Sequence, residues 1–255
     1  MRWARVLSPI ILLMMLGLWR LIVALEDYPT YLLPSPERVW LRLIDVLLDG
    51  SLLRHTWVTV REILGGLALG LTVALALGYV LAKSPLLESI LAPYLVASQA
   101  IPIVALAPLL VIWFGAGSLS KVLVCALTLF FPVLVNTIVG VRGVDSELHD
   151  LLRSLEATPL QVMRYLELPA SLPVLFGGLK VGAALSVIGA VVSEFVSSDR
   201  GLGFLVNLAR GLFDTPLMFV ALFTLMILAL VLYGGVALLE RAVLRWRAPG
   251  QQTQR

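Results

Sequence analysis

The sequence predicts an all-α, polytopic membrane fold with about six transmembrane helices. Three observations carry that prediction. Of 255 residues, 60% are hydrophobic and 14% charged, whereas a soluble domain carries about 45–50% and about 25%. Mean hydropathy is +0.98. Charge-free runs of the length needed to cross a bilayer, about 20 residues for roughly 30 Å of hydrocarbon, recur along the chain. This composition excludes a soluble enzyme, a disordered chain and, with Cys125 as the single cysteine, a disulfide scaffold. A net charge of +3 also excludes a nucleic-acid binder with a broad basic face.

The spans follow in order. Residues 6–25 are apolar apart from Arg20 and form the first, an N-terminal helix within residues 1–28. Arg2 and Arg5 before that stretch resemble a signal peptide, but Leu25-Glu26-Asp27-Tyr28-Pro29 is a poor cleavage site, so a retained anchor is expected. An external connection over 29–57 contains Leu33-Pro34-Ser35-Pro36, then a segment with Val39, Trp40, Leu43, Val46 and Leu47 on one face. That spacing predicts a helix lying in the interface. Five further helices are expected in a core over 58–240. They are 63–82, then 89–120 as a helix plus a turn at Gly115-Ala116-Gly117-Ser118, then 122–141, 172–196 and 215–239. Lys180 lies within snorkelling range of an interface.

With both termini cytoplasmic, eleven Lys and Arg residues fall on the inner side and seven on the outer, Arg20 being within a span. A basic tail over 241–255, with Arg241, Arg245 and Arg247, is the clearest part of that asymmetry. The inner loop 142–170 carries eight charges, more than any other inner connection. It reads as two short helices. Leu148, Leu151, Leu152 and Leu155 make one apolar face. Thr158, Pro159 and Gln161 form a capping-box start for the second, which Leu168-Pro169 is expected to end. Periodicity alone leaves two readings open: the hairpin folds back on its own membrane helices, or it meets a partner protein.

The pattern from Asp150 to Pro169 resembles the EAA loop of ABC-importer permeases, Glu-Ala-Ala, three residues, Gly, nine residues, then Ile-x-Leu-Pro. Other stretches resemble the nitrate/sulfonate/taurine-type branch, related to pyrimidine-precursor and riboflavin importers. They include His55-Thr56 with Arg61 before Gly65-Gly66, the run Gln99-Ala100-Ile101-Pro102 to Trp113-Phe114-Gly115, Phe130-Phe131-Pro132 to Gly140, Gly178-Leu179-Lys180, and Gly201-Leu202-Gly203. The resemblance covers roughly residues 30–240 and implies a type I ABC-importer permease fold. It further implies that Asp150, Leu151, Leu152, Arg153, Ser154, Glu156, Ala157 and Thr158 couple the chain to an ATPase subunit. Here Asp150 replaces the family's Glu, Leu151 and Leu152 its alanines, and Glu156 its Gly. A non-Gly residue in a left-handed turn costs roughly 1 kcal/mol. The turn is therefore expected either one residue later, around Ala157-Thr158, or in a loop of different shape.

The chain has no Gly-Lys-Ser/Thr to cradle nucleotide phosphates. ATP hydrolysis is therefore expected from partner ATP-binding cassette subunits, with no cofactor in this chain. The resemblance also implies an external substrate-binding protein and a second permease copy, identical or homologous, in a bacterial inner membrane. No metal constellation is expected, since His55 and His149 stand far apart. Ser98, Gln99, Pro102, Asn136 and Thr137 are polar or helix-breaking within spans and are read either as pathway or gate lining or as helix packing. Gly65, Gly66, Gly70 and Gly78 are expected to let helices approach. Glu194, the carboxylate within a span, is expected at the external face. The expected function is the transmembrane permease of an ATP-driven importer of a small solute. A stand-alone secondary transporter or channel is the alternative.

Overall fold

A computed structural model describes residues 2–26 and 29–246, all of whose regular structure is helical. The elements are α1 (Arg2–Glu26), α2 (Pro36–Leu48), α3 (Ser51–Lys83), α4 (Pro85–Gln99), α5 (Ile103–Phe114) and α6 (Ser118–Arg142). They continue with α7 (Ser146–Ser154), α8 (Pro159–Val162), a π-helical turn over Met163–Glu167, α9 (Leu168–Val196), α10 (Leu202–Gly211) and α11 (Thr215–Val243). Asp27 and Tyr28 of the poor cleavage site, and residues 247–255 of the basic tail, lie outside the described residues.

Among the described residues, four helical stretches are long and apolar enough to cross a membrane: Ser51–Lys83, Ser118–Arg142, Pro159–Val196 and Thr215–Val243. The bent pair α4 and α5 makes a fifth if it counts as one span, so the expected six is not reached by this measure. Residues 89–120 do not form a single helix before the glycine turn. They divide into α4 and α5, which bend by 96° at a short break. The break falls at Pro102, which has no N–H and steers Ile101 away from the helical region. Tight bonds from Ala100 N–H to Ala97 O and from Ile101 N–H to Ser98 O close α4. The turn between α5 and α6 lies where the glycines predict it, with Gly115 at φ +82°.

The second helix of the charged loop does not end at Leu168-Pro169. It passes through the π turn straight into α9, with Leu168 N–H bonded to Met163 O. Pro169 falls in the first turn of α9. A widened turn just before a proline accommodates its ring and its missing donor without breaking the helix.

The chain forms two compact units, Met1–Thr59 with Asp199–Met226, and Val60–Ser198 with Ile227–Arg255. In the first, Ser35 caps α2 by accepting from Arg38 N–H. Val39 and Val46 of α2 are buried, while Trp40 and Leu47 are exposed. Arg20 reaches Glu37 at 3.0 Å, both exposed. Trp19 stacks on Phe219 with centroids 5.3 Å apart. The α10 helix, for which the sequence offered no reading, starts after Gly201 at φ +111°. Its first donors are met from α3, with Gly201 N–H on His55 Nδ1 at 3.0 Å and Leu202 N–H on Thr59 Oγ1 at 2.8 Å. Asp214 caps α11 through Leu217 N–H and holds Arg42 at 2.8 Å.

The second unit is built on α3, α6 and α9. Hydrocarbon offers no hydrophobic drive between helices, so contact depends on close van der Waals approach. The glycines supply it. A Cβ placed on Gly66 would stand 2.3 Å from Cys125 Cβ, and one on Gly78 2.6 Å from Thr137 Cβ. On α9, Gly178 faces Asn136 and Gly189 faces Thr128 in the same way. Ala74, Leu81, Leu129, Val133 and Leu134 fill the space between α3 and α6. At one end of this unit, Lys121 of α6 lies 3.3 Å from Glu62 of α3 and donates to Ser198 Oγ at 2.7 Å. Glu194 of α9 is buried near Glu62 there. At the other end, Arg142 donates to Ala82 O and Leu81 O, both at 3.1 Å, and pairs with Glu88. Lys180 pairs with Glu240 at 2.5 Å.

Two substitutions test this packing. Gly178→Ala brings a methyl to 2.7 Å from Asn136 Cβ, while a methyl on the neighbouring Gly177 would have its nearest neighbour, Asn136 Oδ1, at 4.0 Å. Gly178→Ala is expected to cost about 1–3 kcal/mol and Gly177→Ala to be tolerated, read as midpoints of thermal unfolding in detergent. Lys121→Met leaves the buried Glu62 carboxylate without its cation and is expected to cost about 3–5 kcal/mol. Adding Glu62→Gln should recover much of that loss; an unchanged midpoint for Lys121→Met alone would show the ion pair to be dispensable.

Candidate functional site

The charged loop between α6 and α9 folds from local signals. Asp145 starts α7 by accepting from Glu147 N–H at 3.0 Å. Arg153 stands in the last turn, where a cation complements the helix dipole. Thr158 and Gln161 form the reciprocal capping box that starts α8, with Pro159 at the first helical position.

The turn between the two helices lies at Glu156 itself. Its φ is +55°, so it takes the left-handed conformation in place. Glu156 N–H bonds to Arg153 O and Ala157 N–H to Leu152 O, both at 3.0 Å. These are the paired bonds of a Schellman cap, whose left-handed position favours glycine. Neither expected alternative therefore holds: the turn is not displaced toward Ala157-Thr158, and a glycine-type cap is made by a glutamate.

Several leucines of this hairpin stay uncovered. Leu151 is 55% exposed, Leu155 67% and Leu160 66%. Asp150 and Arg153 pair with each other at 3.7 Å on the exposed side. Ser154 donates back to Leu151 O, and Ser154, Glu156 and Thr158 are exposed. Leu152 and Ala157 are half-buried. Met163 and Leu166 of the second apolar face are part-buried as well, so the hairpin covers only part of its apolar surface.

What anchors the loop is polar. Glu167, the last residue of the π turn, is 1% exposed. Its carboxylate accepts from Tyr79 OH at 2.8 Å and pairs with Lys83, both on the last turns of α3. His149 of α7 brings Nε2 to 3.1 Å from the same carboxylate, while its Nδ1 faces Asp145 O at 3.1 Å.

The other sequence-derived residues are dispersed. Ser98, Gln99 and Pro102 stand at the bend between α4 and α5, Gln99 and Pro102 exposed. Asn136 packs against Gly178 and donates to Pro132 O at 2.7 Å. Thr137 is buried against Gly78 and donates to Val133 O. Glu194, expected at the external face, lies two residues before the end of α9 and is 1% exposed, near Glu62.

Sequence reasoning did not single out Tyr79, Lys83, Glu62 or Lys121, and it treated Glu167 only as a loop charge. Lys83 and Glu62 flank the charge-free run 63–82, and that bracketing was the available signal.

With this geometry in hand, residues 66–245 match the family described as binding-protein-dependent transport system inner membrane component. The chain is 50% identical over 246 residues to the riboflavin transport system permease protein RibX of Chloroflexus aurantiacus, covering 96% of this chain and 92% of that protein. It is 35% identical to the formylaminopyrimidine transport permease protein ThiX of Halalkalibacterium halodurans, covering 92% and 93%. Identity to the putative aliphatic sulfonates transport permease protein SsuC of Bacillus subtilis is 32%, covering 91% and 84%.

The strained cap gives a direct test. Glu156→Gly is expected to stabilise the loop by about 1 kcal/mol, read as slower amide hydrogen exchange at residues 154–157. Glu156→Val should speed exchange there, because a β-branched side chain fits positive φ worst. Identical rates in all three proteins would show the cap to be unstrained.

Proposed function

The chain belongs to the family of binding-protein-dependent transport inner membrane components, and from that premise we propose that it moves riboflavin or a close isoalloxazine relative. It is a transmembrane permease subunit of an ABC importer for a small solute and carries no ATPase of its own. This membership replaces the reading as a stand-alone transporter or channel. The solute assignment rests on one observation, the 50% identity, over nearly the whole of both chains, to a permease named for riboflavin. A second heteroaromatic solute, a formylaminopyrimidine, is named for the 35% relative. The expected third and fourth spans carry no Lys or Arg at mid-membrane to hold an anion such as a sulfonate.

The proposed assembly is a bacterial inner-membrane importer with both termini cytoplasmic. Two copies of this chain, or this chain and a homologue, make the pathway. An external binding protein delivers solute to the outer face. Two ATP-binding subunits dock on loop 142–170 through Asp150, Leu151, Leu152, Arg153, Ser154, Glu156, Ala157 and Thr158. The support for docking is the uncovered leucine face of α7 together with its resemblance to the EAA loop. ATP binding closes the ATPase pair, and the docked loops carry that movement into the membrane helices. Ser98, Gln99, Pro102, Asn136 and Thr137 are the proposed pathway and gate positions. For Asn136 and Thr137, their close contacts with α9 and α3 make movement of those helices the means of gating.

The complex in liposomes, with its ATPase and binding protein, tests both assignments. Riboflavin-loaded binding protein should stimulate ATP hydrolysis and be accompanied by riboflavin uptake, while taurine or an alkanesulfonate does neither. The reverse order of solutes would remove the flavin reading. Leu151→Asp is expected to lower ATPase co-purification about tenfold or more, as charge replaces an apolar interface anchor. Full recruitment by that variant would remove the docking reading.

A further inference from the structure

The movement of a docked loop needs a mechanical route into the membrane, and the covalent route is soft. From α7 to α9 the backbone passes through the left-handed Glu156 and then through a π turn. Both are places where a helix pair bends. We propose that Glu167 is the positioning residue that ties this loop to α3, so that displacement of α7 moves the inner end of α3 with it. The inference rests on the docking role proposed above.

Three observations carry it. First, the buried Glu167 carboxylate is held by three donors from two helices. Tyr79 and Lys83 lie on α3 and His149 on α7. Second, among the described residues, the contact of His149 with Glu167 is the side-chain hydrogen bond that leaves α7; Asp150, Arg153 and Ser154 bond within their own helix. Third, the same end of α3 is gripped from the start of the loop. Arg142 donates to Leu81 O and Ala82 O, which are among the last carbonyls of α3, Leu81 O also accepting from Ser84 N–H at 3.3 Å. The loop is thus fastened at its beginning and its end to one turn of one helix.

The energetics favour transmission over slippage. Freeing Glu167 from its donors would strand a buried carboxylate, which costs several kcal/mol. The exposed Asp150–Arg153 pair costs little to break. A push on α7 therefore moves the cluster as a unit. In an alternating-access cycle this makes α3 the first membrane helix to follow the ATPase, without routing the movement through the bent backbone.

The test is a nitroxide on Val80→Cys, an exposed position on α3 one residue from Tyr79. The native Cys125 is buried and stays in place. The labelled permease, assembled with its ATPase in lipid nanodiscs, is trapped with ATP and vanadate. The trap is expected to change the nitroxide spectrum in the otherwise native complex. His149→Ala cuts only the link from α7 and should reduce that change roughly fivefold or more, with ATPase co-purification unaltered. Glu167→Gln should do the same, and combining it with His149→Ala should add little, as for two residues of one network. If Glu167→Gln does not assemble, the half-exposed His149→Ala decides alone. A full trap-induced change in His149→Ala overturns the proposal, as does a labelled native-sequence complex that binds ATPase and shows no change at α3. Failure of docking itself is distinguishable, since it would appear as retained ATPase in Leu151→Asp.

Discussion

Close approach of α3, α6 and α9 is the constraint on which the rest of the second unit depends. Where lipid is as apolar as leucine, helices hold together by fit and by the polar groups they share. Gly66 and Gly78 let α3 lie against Cys125 and Thr137, and Gly178 and Gly189 let α9 lie against Asn136 and Thr128. Thr128, Thr137 and Ser186 satisfy their hydroxyls on carbonyls of their own helices. Polar side chains can therefore sit in these contacts without needing a partner across them.

The sparse charge follows from the same constraint. A charged group in or beside hydrocarbon must be paired, and helices this close allow pairs between residues far apart in sequence. Glu62, Lys121 and Glu194 gather at one end of the three helices, and Lys83, Arg142 and Glu167 at the other. The apolar run 63–82 of α3 is thus flanked by ions on both sides. Only the second group involves the charged loop 142–170, through Arg142, Glu167 and His149.

The loop combines two kinds of surface. Three of its leucines, Leu151, Leu155 and Leu160, are uncovered, and it is held to α3 by the buried Glu167 carboxylate and, at its start, by Arg142. An element attached this way is rigid where it meets the membrane helices and free where a partner would seat. The family to which the chain belongs gives that division a use, since its permeases are driven from outside their own sequence.

Local features were legible in the sequence because their causes are local. Apolar run length located the helices, Gly115 and its neighbours placed a turn, and Thr158, Pro159 and Gln161 announced the start of α8 to the residue. The apolar spacing of Leu148, Leu151, Leu152 and Leu155 likewise foretold α7. What escaped were events decided by competition between neighbours. Pro102 breaks its span by 96°, yet Pro169 is absorbed by a π turn, and nothing in either tripeptide distinguishes the two outcomes. Glu156 takes a glycine's conformation because the capping bonds around it offset the strain. The partners of Glu167 and Glu194 were likewise beyond reach, since a carboxylate's charge is written in the sequence but its nearest donor is not. The sequence by itself determined a helical membrane chain with its charge concentrated in one loop, 142–170. Tertiary structure alone decided which charges meet, because ion pairs between helices depend on register and separation, and those are set by packing across the whole bundle.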